Sequence, residues 1–455
     1  MRACVAGMRR LSITVSGLVA MALLAGCEGP ADGEGDGGET APLPALAKSF
    51  DGFMSVRSAA MSEDGDLFFG GGFNYEVDFG GGKLSSEPQG SLFVAQLDAS
   101  GEHLWSGSTG SGDALAGVAV GPGGELYVTG SFGGSINFGS GKLTGSYDAY
   151  FAAFEPGGLS DYSFAAGGDA NDRFESVATA PSGDVIVSGN FGDDADLGGG
   201  AAAEITDVQP VVAAYSADGE HLWEQRMLGG IAANSSVATD GAGNVFFSGQ
   251  SYGNFVVGDV EAPAGPFVVK MSPSGAPLWV RAATGDFDVP DHRAMAVDRA
   301  GNVILAGIYL GEFSLGDIQV PTSPYVGGFV AKISAAGEPL FVRTFTLQSY
   351  GAAMEVAVAD DGKIVLAMSP FGSVSFGDQT VGVENEQDII VARFGPDGAL
   401  LGAEALAGTA SEYVQSVLVG PDGAPVVIGS FDAVLDIGET RLISESGSST
   451  FIARL

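Results

Sequence analysis

One unit recurs seven times between residue 45 and residue 455, and that periodicity limits the fold more than any other feature. Aligned on the glycine that precedes a strand, the copies read MSEDGDLFFGG (61–71), VGPGGELYVTG (120–130), TAPSGDVIVSG (179–189), TDGAGNVFFSG (239–249), VDRAGNVILAG (297–307), VADDGKIVLAM (358–368) and VGPDGAPVVIG (419–429). The anchors Gly65, Gly124, Gly183, Gly243, Gly301, Gly362 and Gly423 stand 58 to 61 residues apart. A second glycine follows each anchor by 15 residues, at Gly80, Gly139, Gly198, Gly258, Gly316, Gly377 and Gly438, always after an apolar residue. Glycines so placed point to turns with positive φ.

Each copy predicts four strands. The first ends in a run such as Val118-Ala119-Val120, with a small residue five before the anchor in six copies. The second resembles LYVTG. The third reads FVAQL (93–97), YFAAF (150–154), VVAAY (211–215), FVVKM (267–271), FVAKI (329–333), IIVAR (389–393) and TFIAR (450–454). The fourth carries Trp105, Tyr162, Trp223, Trp279, Phe341 or Leu401. β-Branched and aromatic runs broken by glycine turns are strand signals, and no helix-period segment interrupts them. The seventh copy lacks a fourth strand, whereas Leu46–Gly52 precedes the first copy in the place of a spare one. The expectation is an all-β, seven-bladed β-propeller over residues 45–455, closed by an N-terminal strand that completes the last blade.

Gly121–Gly139 and Phe329–Phe341 resemble the bacterial SBBP-type β-propeller repeat, VAVxPxGxLYVTGSF…FG…FVAKLDPxGxxLW. The resemblance spans residues 45–455 and implies the propeller fold, but little about function, because such repeats are structural. The sixth copy departs from it at Met368, where the others carry glycine.

Ahead of the repeats, Arg2, Arg9 and Arg10 form a basic region and Leu11–Leu24 an apolar one, too short to span a bilayer comfortably. Met8-Arg9-Arg10 alone would serve as an ordinary start. Leu24-Ala25-Gly26-Cys27 resembles the bacterial lipobox, which implies a signal peptide over 1–26 and lipid on Cys27. The alternative is an ordinary secretory cleavage with an incidental cysteine. Residues 28–44 (EGPADGEGDGGETAPLP) carry five acids and no base, and make with Cys27 a flexible tether over 27–44. Glu28 stands where an Asp would resemble an inner-membrane retention signal, so the outer membrane or cell surface is the expected location.

Cys4 and Cys27 are the chain's two cysteines, and Cys4 leaves with the signal peptide, so neither a disulfide nor a catalytic thiol is available to the expected mature chain. A net charge of −37 repels nucleic acid and anionic headgroups. It permits a bound divalent cation without requiring one, and no other cofactor is expected.

His103 and His221 sit in the same GEHLW framework position, as Trp105, Trp223 and Trp279 share theirs, which reads as packing. His292 differs: in Asp286-Phe287-Asp288-Val289-Pro290-Asp291-His292-Arg293 it joins a cluster with weak metal-ligand potential at Asp286, Asp288 and Asp291. No nucleophile elbow, phosphate loop or zinc-protease motif occurs. Eight before the anchors stand Arg57, Ala116, Glu175, Ser235, Arg293, Met354 and Gln415, variable inside a constant frame. Arg57, Glu175, Asp291, His292 and Arg293 are therefore the candidate ligand-binding residues at the ring centre. The leading expectation is a monomeric, non-enzymatic cell-envelope lipoprotein that binds or scaffolds an envelope protein or glycan. The alternatives are a propeller hydrolase or lyase acting on a glycan or ester, and a cation-stabilised structural lipoprotein.

Overall fold

The computed structural model describes residues 43, 45–110, 114–192, 194–200, 208–229, 232–285, 291–323, 325–349, 353–382 and 387–455, with the backbone alone at 232–235 and 291–293. The repeats form seven antiparallel sheets of four principal strands each. In the first blade these run Phe53–Met61, Leu67–Asn74, Ser91–Leu97 and His103–Thr109 from the innermost outwards. The other innermost strands are Ala114–Val120, Arg173–Thr179, Ala232–Thr239, Asp291–Val297, Ala353–Val358 and Glu412–Val419. Each lies against the innermost strands of the two flanking blades, and the first lies against the seventh, so the ring is closed.

The seventh blade completes itself from the N-terminal side. Its outermost strand, Ala47–Asp51, pairs with Ser449–Arg454 in the register Ala47↔Ala453 to Asp51↔Ser449. Phe50 is 4% exposed and packs 5.4 Å from Phe79 of the first blade, so this strand also seals the seam beside it. Leu43 N–H donates to Asp422 Oδ2 at 2.9 Å and fixes the point where the chain enters the ring.

The cores lie between blades rather than inside them. The second and third strands are buried almost throughout, because both of their faces meet a neighbouring sheet. The framework tryptophans bridge the same seams. Trp105 stacks on Phe154 of the next blade at 6.0 Å, while Trp223 and Trp279 donate from Nε1 to Pro273 O and Ala335 O at 3.0 and 3.2 Å. His103 and His221 lie over the glycine turns at Gly81 and Gly199.

Both glycine columns have positive φ: +77° to +91° at the seven anchors and +56° to +115° at the second set. In the fourth, fifth and sixth blades the segment before the second glycine does more than continue its own blade. Val256 and Val257 pair with Leu228 and Met227, Phe313–Leu315 with Ala283–Gly285, and Val374 and Ser375 with Leu347 and Thr346, each on the outermost strand of the preceding blade.

One alignment is corrected. The residue opposite the position six after the anchor (Gly71, Gly130, Gly189, Gly249, Gly307, Met368 and Gly429) is Phe93, Tyr150, Val211, Phe267 and Phe329 in the first five blades, but Ile390 and Phe451 in the sixth and seventh. The third strands of those two copies therefore align one residue later than IIVAR and TFIAR. Ile389 and Thr450 precede the aligned residue, and a shift of one turns every side chain to the other face.

Candidate functional site: the channel and its loop face

The ring has two unlike faces. Tight turns joining first to second and third to fourth strands make up one, the turn face, where the anchor glycines lie. Connections from second to third strands and from blade to blade make up the other, the loop face. Leu43 meets Asp422 in a first-to-second-strand turn, so the chain enters the propeller on the turn face.

Seven innermost strands leave a central channel. The column seven before the anchors looks along its wall: Ser58 Oγ accepts from Val118 N–H at 3.0 Å, and Ser176 Oγ from Val237 N–H at 3.2 Å, each on the next blade's innermost strand. The column holds Ser58, Gly117, Ser176, Ser236, Ala294, Glu355 and Ser416. Glu355 is its one ionisable member. The side chain is half-buried and makes no hydrogen bond or ion pair among the described residues, and burial alone pushes its carboxyl up to about 8. Sequence reasoning weighed the adjacent column and passed over Glu355, although a single acid among Ser, Gly and Ala was there to be read.

The column eight before the anchors is a bulge. Arg57, Ala116, Glu175, Arg293 and Gln415 are each skipped by the ladder between the first and second strands. In the fourth blade the ladder jumps from Ala233↔Gln250 to Ser236↔Ser248. The carbonyl two residues before each bulge needs the facing glycine: a Cβ on Gly71, Gly130 or Gly189 would overlap the oxygen of Ser55, Ala114 or Arg173.

The sequence candidates fare differently. Arg57 is exposed. Glu175 Oε1 is held by Arg173 Nε and Asn190 Nδ2, both at 2.8 Å, within its own blade. Gln415 Oε1 accepts from Val56 N–H at 3.3 Å and ties the seventh blade to the first. Asp291 and His292 pair through their backbones with Ile308 and Gly307, and Arg293 takes the bulge; their side chains lie outside the described part of the structure. His292 occupies the register slot filled by the buried Val56, Leu115, Phe174 and Val414 in other blades. Cys27, Asp286 and Asp288 lie outside the described residues.

Aromatic side chains separate the two faces. Among the described residues the exposed ones are Phe53, Tyr75, Tyr147, Tyr252, Tyr325, Phe371 and Tyr413, and all seven lie on the loop face. Five of the seven exposed leucines among the described residues, Leu104, Leu222, Leu278, Leu340 and Leu401, instead sit at outermost-strand bulges toward the turn face.

Four of the seven aromatics come from three consecutive blades: Phe371 from the sixth, Tyr413 from the seventh, Phe53 and Tyr75 from the first. Phe53 and Tyr75 meet edge to face at 5.9 Å while remaining 57% and 74% exposed. Tyr75 and Tyr147 have φ of +67° and +79°, a conformation that strains a bulky residue. Tyr75 is held there by two bonds to Ser86, from its N–H to Oγ and from Ser86 N–H to its carbonyl, each 2.8 Å. The seam between the sixth and seventh blades is stitched beneath Phe371 and Tyr413: Val414 N–H donates to Ser369 Oγ at 2.6 Å, Gln387 Nε2 to Ser369 O at 3.0 Å, and Glu412 N–H to Gln387 O at 2.8 Å.

No group of three or more His, Cys, Asp or Glu side chains converges on a metal-sized point among the described residues. A cavity of about 370 Å³ opens beside the fifth blade's hairpin, with Glu312 the one ionisable residue in its described lining.

No family model matches the sequence, and no curated protein matches it. Solved structures do. An ulvan lyase of a polysaccharide lyase family, bound to a glucuronic acid–sulfated rhamnose unit, has a TM-score of 0.48 at 9% identity, covering 90% of this chain and 95% of its own. A gluconolactonase from Xanthomonas campestris gives 0.33 at 12% identity over 80% and 90%. A Bacteroides caccae protein of unknown function gives 0.37 at 11% over 69% and 89%. Similarity at this level is one of architecture, and the seven-bladed propeller itself is established by the strand topology.

Proposed function

We propose that the chain is a non-enzymatic binding module of the bacterial cell envelope, anchored by lipid on Cys27 and presenting the loop face of its propeller to a partner. The observation that carries the reading is that, among the described residues, the exposed aromatic side chains are confined to the face opposite the one where Leu43 meets the ring. Leu43 is held on the turn face, and the loop face is the one proposed to meet an envelope protein or glycan. Large exposed aromatics are what binding surfaces use, since they bury much area while fixing few torsions.

The enzymatic alternative has one observation in its favour. A carboxyl near pKa 8 is protonated at neutral pH, as a general acid must be. Glu355 nevertheless meets no second reactive side chain among the described residues, so the binding reading is the better supported.

Two experiments test it. Cells fed a labelled fatty acid should label the full-length protein and not its Cys27→Ala variant; an unlabelled wild type would overturn the anchor. In co-sedimentation of the unlipidated Cys27→Ala protein with isolated envelope, adding Phe53→Ala/Tyr413→Ala should abolish retention while the turn-side control Leu222→Ala/Leu278→Ala keeps it. The reverse pattern would place the binding surface on the other face.

A further inference from the structure

We infer that the loop face takes an uncharged or amino-bearing polysaccharide, laid across the first, seventh and sixth blades at the channel mouth. The inference rests on the binding reading above and adds the chemical class of the ligand.

Three observations lead there. Among the described residues no ring contact joins Phe371 or Tyr413 to the Phe53–Tyr75 pair, so the four rings are not one stacked cluster. Phe371 and Tyr413 stand on other blades than the Phe53–Tyr75 pair, and exposed amides flank the rings: Asn74 next to Tyr75, and Gln348, which donates from Nε2 to Ser373 Oγ at 2.9 Å, near Phe371. Exposed ring faces flanked by amide groups suit a chain of sugar rings, which offers apolar C–H faces and hydroxyl edges in alternation. An aromatic ring stacks on the former, and the tyrosine hydroxyl and the amides reach the latter.

Charge narrows the class. With a net −37, the protein repels polyanions, so acidic polysaccharides, nucleic acid and anionic lipid are disfavoured. A neutral or amino-bearing polymer meets no such barrier.

The rings are also preorganised. Phe53 and Tyr75 brace each other at 5.9 Å, and the strained backbone of Tyr75 is locked by its pair of bonds to Ser86. A surface that is already ordered loses little freedom on binding, which weak sugar contacts require. The geometry spends backbone strain on holding an aromatic side chain outward.

The test is an array of neutral, amino-bearing and acidic oligosaccharides probed with the full-length protein. Hits should fall among the neutral and amino-bearing members. Phe53→Ala and Tyr75→Ala should each weaken the best hit about tenfold, and Tyr75→Phe should retain most of the binding. Unchanged thermal melting of these exposed variants would show that folding is not what was lost. An array without hits, or with hits confined to acidic members, overturns the assignment. If envelope retention still depends on Phe53 and Tyr413 in that case, the binding reading stands and only the ligand class falls.

Discussion

Met354 stands directly opposite Met368 in the sixth blade, both fully buried, where other innermost strands bulge against a glycine. The missing glycine and the missing bulge are one fact: without room for the carbonyl two residues before the bulge, the strand loses the extra residue and runs straight. The converse is testable. Gly189→Ala puts a methyl group onto the Arg173 carbonyl oxygen, and should cost about 1–3 kcal/mol. Hydrogen exchange should show the third blade's innermost strand loosened. An unperturbed variant would show that the glycine is dispensable to the bulge.

Phe50 is the hinge pin of ring closure, buried against Phe69 and Phe79. Phe50→Ala should destabilise the protein by about 3–5 kcal/mol in chemical denaturation. Leu222→Ala, on the exposed rim, should stay within about 0.5 kcal/mol of wild type.

Lys270 lies buried 3.3 Å from the equally buried Asp240, and its Nζ also donates to Ala335 O of the next blade at 3.2 Å. Lys270→Met removes the cation beside Asp240, whose carboxylate keeps its bonds from Ala242 N–H and from Asn244, and should cost about 1–3 kcal/mol. Removing both charges should recover part of that loss, as a double-mutant cycle would measure.

Glu355 gives the protein a pH dependence of definite sign. Its carboxyl is raised from 4.5 to about 8 by burial, so the folded state holds a proton that the unfolded chain has released. Its contribution is therefore neutral below pH 4.5 and becomes unfavourable as pH rises toward 8. Glu355→Gln should match wild type at low pH and exceed its stability by about 1–3 kcal/mol near pH 8.5, allowing for water in the channel. Parallel stability curves across that range would contradict this assignment.

Much of the fold was legible because repetition averages out local ambiguity. Gly65 alone says little, but seven anchors at one spacing fix blade number, turn position and the role of Ala47–Asp51. Single departures were harder. The third-strand register slipped at Ile390 and Phe451 because an extra Ile or Thr before each fits a strand equally well. The pairing of Val256 and Val257 with the preceding blade has no local signature, since only the ring brings those segments together. The site was less legible still. Choosing variable positions led to Arg57 and Glu175, which share the bulge column, yet the structure holds Glu175 within its own blade. Phe53, Tyr75 and Phe371 look like ordinary core aromatics in sequence, and only strand direction reveals that they share a face.

Hydrogen exchange of the full-length protein, with and without a saturating oligosaccharide hit from the array, would locate the binding surface. Protection concentrated around Phe53, Tyr75, Phe371 and Tyr413 is the expected result. Protection confined to the anchor-glycine turns around Gly65, Gly362 and Gly423, with the loop face unchanged, would contradict it.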